Sequence, residues 1–214
     1  MPPSDDAQHL ATVAKRVASF ARQLKRSSWL GFWSQLTLSV VSTVIILFSV
    51  VFKGVAKARP STQPPVGRLL TRFPRAAQGT EAGLYFILFG NVAAFLSVFW
   101  TLGYRRLGER LRRGAEQPEL APPRSQVVQS LTSGITINML GMGFTVVGLQ
   151  ATTGLLFAKT LSVTAQNPFL SGATYNPVLA LDIFLVQAAA NSLLSHFIGA
   201  ILGLWLLKSV TRDG

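Results

Sequence analysis

The chain has no cysteine, only two histidines and three methionines, and only eight acidic residues among its 214. The missing thiols exclude disulfides, thiolate metal sites and cysteine nucleophiles, although they name no compartment. So few histidine, carboxylate and thioether groups make a poor inventory for a dedicated metal cage. The phosphate-binding loop, the GxSxG elbow, the HExxH helix and Cys/His metal spacings are all missing. The chain is therefore expected to be no enzyme and to hold no cofactor, and an ATP-driven pump would need a partner subunit. No internal repeat and no inverted repeat of the transporter kind is visible.

Charge of either sign is also scarce, at 13% of residues, against 49% hydrophobic residues and a mean hydropathy of +0.40. The charges are segregated. Charge-free runs cover 27–52, 82–104, 125–158 and 183–207, with lengths of 26, 23, 34 and 25 residues. A bilayer core about 30 Å thick is crossed by roughly 20 residues of helix. The four runs place spans near 29–52, 82–104, 131–156 and 179–207, a transmembrane domain over 29–207 followed by a short C-terminal tail, 208–214. A fifth charge-free run, 160–181, carries Gln166, Asn167, Pro168, Asn176 and Pro177 and reads as a loop. The 53–81 segment, with Pro60, Pro64, Pro65 and Pro74, is expected to be irregular or to hold only short helices.

The basic tail, 1–28, has Leu10, Val13, Val17, Phe20 and Leu24 at helical spacing, with Lys15, Arg16, Arg22, Lys25 and Arg26 mostly off that stripe. This predicts an amphipathic helix lying in the membrane interface before the first span. The expected fold class is thus an all-α membrane protein, with four transmembrane helices preceded by an N-terminal interfacial helix. The net charge of +12 does not predict nucleic acid, because the basic residues flank the spans and form no domain of their own. Anionic lipid headgroups or an acidic partner fit them better. Thirteen Lys and Arg flank the side that carries both termini, against seven opposite. The positive-inside rule then puts both termini in the cytoplasm or stroma. Trp29, Trp33, Trp100 and Trp205 would all lie toward that interface.

Polar residues within the spans need partners or a function. In the fourth span, Asn176-Pro177 reads as a helix cap, and Asp182 falls about one turn inside, either stabilised by the helix N-terminus or facing a substrate. His196 lies roughly 15 Å from the inner end, and its 14-residue separation from Asp182 is roughly 21 Å, too far to share one ion. It is either hydrogen-bonded between helices or part of a proton or metal relay. Gln187, Asn191 and Ser195 form a second stripe. Asn91 falls at the depth of Asn191 and is its expected partner, while Gln35 and Asn138 sit nearer the inner surface. Such groups either bond helices together or mark a hydrophilic path. Gly199 and Gly203 form a GxxxG pattern, and Gly134, Gly141, Gly143, Gly148 and Gly154 pepper the third span, suiting close helix approach.

GFWSQLTLSVVSTVIILFS (31–49), GLYFILFG (83–90) with YRRLGERLR (104–112), INMLGMGFTVVGLQATTGLLFAKTLS (137–162) and LDIFLVQAAANSLLSHFIGAILGLWLL (181–207) occur in this order. Together they resemble the Tic twenty-one family, also called Permease In Chloroplasts, and its cyanobacterial relatives. The VQAAAN and SHF groups of the last segment are the most specific. The resemblance implies a multi-pass protein of the plastid inner envelope, or of a cyanobacterial inner or thylakoid membrane. Two roles are attached to it: a permease linked to iron, with iron as the transported substrate, or a non-conducting subunit or assembly factor of a protein-import translocon. Its implied partners are lipid, translocon subunits or a second copy of the chain. It carries over no functional residues. The plant form's long transit peptide has no counterpart here, which favours a cyanobacterial chain over a processed plastid one.

Overall fold

A computed structural model describes residues 5–58, 74–166 and 177–212. They form four long helices, α1 (Asp5–Ala58), α2 (Pro74–Glu116), α3 (Arg124–Gln166) and α4 (Pro177–Arg212), with a 3₁₀ turn at Pro118–Leu120 between α2 and α3. No strand occurs among the described residues. The proline positions explain these limits. Pro74 and Pro177 open α2 and α4, where a missing N–H costs nothing, and Pro118, Pro122 and Pro123 fill the α2–α3 connection. There the Gln117 N–H donates to Arg113 O (2.8 Å), and the Pro123 carbonyl accepts from Gln126 N–H (3.0 Å) to start α3.

Each helix is long and apolar enough to cross a membrane. Two expected irregular segments are shorter than the sequence suggested. α3 runs through Gln166, because neither proline nor glycine stops it after Lys159, and α4 already begins at Pro177. The 160–181 loop therefore shrinks at both ends, and Asn167, Pro168 and Asn176, including the expected cap, lie outside the described residues. So do Pro60, Pro64 and Pro65. The N-terminal stripe is helical, as expected, and α1 then runs on into the first span without a break. Part of its apolar face meets protein: Leu24 is fully buried and Val17 and Phe20 pack on the same core cluster, while Val13 is exposed.

Burial runs opposite to that of a water-soluble bundle. Phe89, Phe99 and Phe157 are more than 60% exposed, while Gln35, Ser39, Ser42, Thr145, Ser195 and His196 are fully buried. A soluble protein does not leave so many large apolar side chains uncovered. A bilayer accepts them and drives polar groups inward. The chain is a multi-pass membrane protein by this reading of its helices.

The residues group into two compact units. One comprises Met1–Thr37, Ala93–Leu140 and Ser195–Gly214, the other Leu38–Val92 and Gly141–Leu194. Each takes one stretch from each long helix. In the first, Ala21, Leu24, Leu107, Leu111, Leu131 and Leu206 build the core with Tyr104 and Val127. In the second it is Ile46, Ile87, Leu185, Ala188 and Ala189. The buried positions recur every seven residues: Ser28, Gln35, Ser42 and Ser49 on α1, and Leu131, Asn138, Thr145 and Thr152 on α3. Most are small or polar, which lets helices approach closely. At Gly148 a Cβ would fall 2.8 Å from the Ile87 backbone nitrogen and 3.0 Å from Gly83 O, so α2 and α3 meet backbone to backbone there.

Candidate functional site

The first unit holds a closed ring of polar side chains that passes through all four helices. Ser97 (α2) lies 2.8 Å from both Gln35 Oε1 (α1) and Asn138 Oδ1 (α3), its single hydroxyl proton serving the two acceptors. His196 Nδ1 (α4) lies 3.1 Å from Asn138 Oδ1. The Ser195 hydroxyl (α4) donates back to Gln35 O (3.3 Å) and closes the ring. Gln35 Nε2 also donates to Thr101 Oγ1 (3.3 Å), and that hydroxyl donates to Ser97 O. All six side chains are at most 5% exposed.

The orientation of Asn138 decides the histidine tautomer. Its Nδ2 donates to Gly134 O (2.9 Å), so Oδ1 must face Ser97 and His196. Two acceptors cannot face each other, so His196 Nδ1 carries a proton and donates to this oxygen. Gly199 makes room for this amide: a Cβ there would lie 2.7 Å from both Asn138 Nδ2 and Oδ1, and one at Gly203 2.7 Å from Ile135 Cγ1. The GxxxG face of α4 is thus occupied by α3 of the same chain. The interhelix bonds here use four donors, three reaching side chains and Ser195 a backbone carbonyl, and contribute roughly 0.6 kcal/mol each, about 2–3 kcal/mol together. The ring ties helices together.

The second unit is less completely satisfied. Asn91 Nδ2 donates to Thr43 Oγ1 (2.7 Å), and Ser42 donates to Ala188 O (2.8 Å). Ser49 Oγ, Asn91 Oδ1 and Ser192 Oγ are buried with no hydrogen-bond partner among the described residues. The expected Asn91–Asn191 bond does not form. Gln187 is exposed, Asn191 is half-buried, and Gln187 Nε2 donates to Asn191 Oδ1 along the same helix (3.3 Å). The stripe of Gln187, Asn191 and Ser195 therefore splits, its first two members facing out and its third entering the ring. Asp182 is buried and pairs with Lys159, which is a third exposed, at 2.5 Å. Lys159 had no assigned partner in the sequence, nor had Ser97, Thr101 and Thr43 any role. Their seven- and four-residue spacing from other buried positions was the available signal. Among the described residues, no group of three His, Asp or Glu side chains could hold a metal ion.

No solved structure matches the chain. It is 48% identical over 208 residues to "Protein TIC 21, chloroplastic" of Arabidopsis thaliana, an alignment that covers 96% of this chain. The chain spans 62% of the length of that relative. Residues 14–211, nearly all of the four helices, match the family described as "Protein of unknown function (DUF3611)". The chain belongs to that family, and its resemblance to the Tic twenty-one family rests on almost its whole length.

Proposed function

We propose that the protein is a non-conducting membrane subunit of a protein-translocation complex, in the plastid inner envelope or a cyanobacterial membrane, with both termini on the stromal or cytoplasmic side. The observation that carries this reading is the ring of the first unit. Its six side chains are buried and hydrogen-bonded to one another or to the helix backbones. A path for a hydrated ion needs polar groups that water can reach and that trade partners as the ion passes. These groups hold one another and the backbones of neighbouring turns, as in a scaffold that presents fixed outer faces. The plastid relative's name is compatible with such a complex. No enzymatic step and no resident cofactor belong to this reading.

A permease that moves iron keeps one specific observation on its side: the unpartnered Ser49, Asn91 and Ser192 oxygens of the second unit. One experiment separates the two. The purified chain, reconstituted in liposomes containing an iron-sensitive dye, is expected to show no flux above empty vesicles. Affinity isolation from its native membrane is expected to bring down translocon subunits in fixed ratio. Iron flux abolished by Asn91→Ala in protein that stays folded would establish the permease instead.

A further inference from the structure

Away from the ring, the first unit carries a groove of about 570 Å³, lined by Lys25 of α1 and by Arg105, Arg106, Glu109, Arg110 and Arg113 of α2. Five cations thus face one carboxylate, and that carboxylate is engaged by Lys25 at 3.2 Å. The Lys25–Glu109 pair joins α1 to α2 beside the groove. One turn beyond Lys25, Trp29 lies under the Arg105 guanidinium, 5.0 Å from ring centroid to Cζ, and meets Trp33 edge-on at 5.4 Å. Both indoles are nearly half exposed. Just past them the surface turns apolar, with Leu30 and Phe99 exposed and Leu102 closing the groove's end.

Tryptophan pairs of this kind sit at the headgroup level of a bilayer. The groove therefore opens where phosphates lie, with its apolar end toward the acyl chains. We infer that it is a binding site for the headgroup of an anionic glycerolipid, the guanidinium forks of Arg106, Arg110 and Arg113 holding the phosphate and Leu102 meeting the first acyl carbons. Guanidinium forks match phosphate oxygens two at a time. An acidic peptide would use the charges but leave the adjoining indoles and leucines uncovered. The site is independent of whether the chain conducts.

The test uses the full chain in detergent, offered phosphatidylglycerol and phosphatidylcholine with identical acyl chains, and counts retained lipid by native mass spectrometry. Wild type should retain phosphatidylglycerol preferentially. The Arg106→Gln, Arg110→Gln double variant should lower that preference about twenty-fivefold at low salt, since each cation near a lipid surface is worth roughly a factor of five. A charge-matched double variant elsewhere, Lys208→Gln with Arg212→Gln, should retain it. A second measurement needs no variant: in nanodiscs, phosphatidylglycerol brominated on its acyl chains should quench tryptophan emission more than brominated phosphatidylcholine does. Equal retention of the two lipids by wild type, an equal loss in the Lys208/Arg212 variant, or displacement of the lipid by equimolar inorganic phosphate or polyglutamate would each overturn the assignment.

Discussion

Gly199→Ala adds one methyl group where the structure leaves no room for it. The new Cβ would sit 2.7 Å from both terminal atoms of Asn138. That amide is not a loose end that can swing away, because Gly134, Ser97 and His196 all hold it. Moving it breaks the two bonds that leave α3, which are worth roughly 0.6 kcal/mol each. Overpacking a filled site costs a further 1–3 kcal/mol or so. Alanine's better helix propensity returns about 1 kcal/mol. The net expectation is a loss of about 1–3 kcal/mol, read as a lower midpoint of denaturation by SDS or heat in detergent. Gly103 and Gly143 are the internal controls: nothing lies within 4 Å of a Cβ at either. Alanine there should be neutral or stabilising by up to about 1 kcal/mol. In an Asn138→Ala background the clash partner is gone, so Gly199→Ala should also become harmless. If Gly199→Ala is as mild as Gly103→Ala, or if its cost is unchanged without Asn138, the tight contact between α3 and α4 is refuted.

Lys159→Met removes the cation from a buried carboxylate, and should cost about 2–3 kcal/mol, less than a fully buried pair because Lys159 is a third exposed; a midpoint equal to wild type would contradict this. Glu109 is held below the ordinary glutamate value of 4.5 by its hydrogen bond to Lys25 first, then by the charges of Lys25, Arg112 and Arg113. A depressed folded-state value stabilises above the unfolded value and is lost as pH falls through the folded one. Glu109→Gln should therefore flatten the acid limb of a melting-temperature profile below about pH 4.5 and leave its slope near neutrality unchanged. Val17→Asp should loosen the N-terminal part of α1 from the core it touches, by about 1–3 kcal/mol, seen as faster amide exchange over residues 10–20 with the spans still inserted. Cysteines placed singly at Gln8 and Ser61 should label from opposite sides of the membrane, and labelling from one side would remove the even-span topology.

The four helices were legible because their cause is written along the chain. Long charge-free runs that are also apolar read as spans, the polar and proline-bearing run at 160–181 does not, and prolines open α2 and α4 and fill the α2–α3 connection. Helix length was less legible. Hydropathy marks where lipid begins and ends, whereas a helix continues until a backbone signal stops it. α1 has no proline between Asp5 and Ala58, so the basic stripe and the first span are one rod. The same reasoning extends α3 to Gln166.

The site was legible as a list of residues and illegible as a set of pairs. Gln35, Asn138, Ser195 and His196 stand out because polar groups inside a bilayer are costly, and the structure draws all four into one ring. Depth suggested Asn91 for Asn191, but depth is only one of two coordinates, and azimuth is the other. On α4, residues 188, 192, 195 and 199 face inward, and 187, 190 and 194 face outward. Asn191 lies on the border between them, one step from the buried Ser192, so its amide turns to Gln187 and leaves Asn91 to Thr43. The seven-residue recurrence of buried positions carries the missing coordinate. It puts Asn138 in line with Leu131 and Thr145, and Gln35 in line with Ser28 and Ser42. Once those lines are drawn, Ser97 becomes the natural bridge, because it follows Gly90 and precedes Tyr104 at the same interval on α2. A serine there is too common a residue to attract notice alone. Its weight comes from standing between the amides of Gln35 and Asn138, 2.8 Å from each.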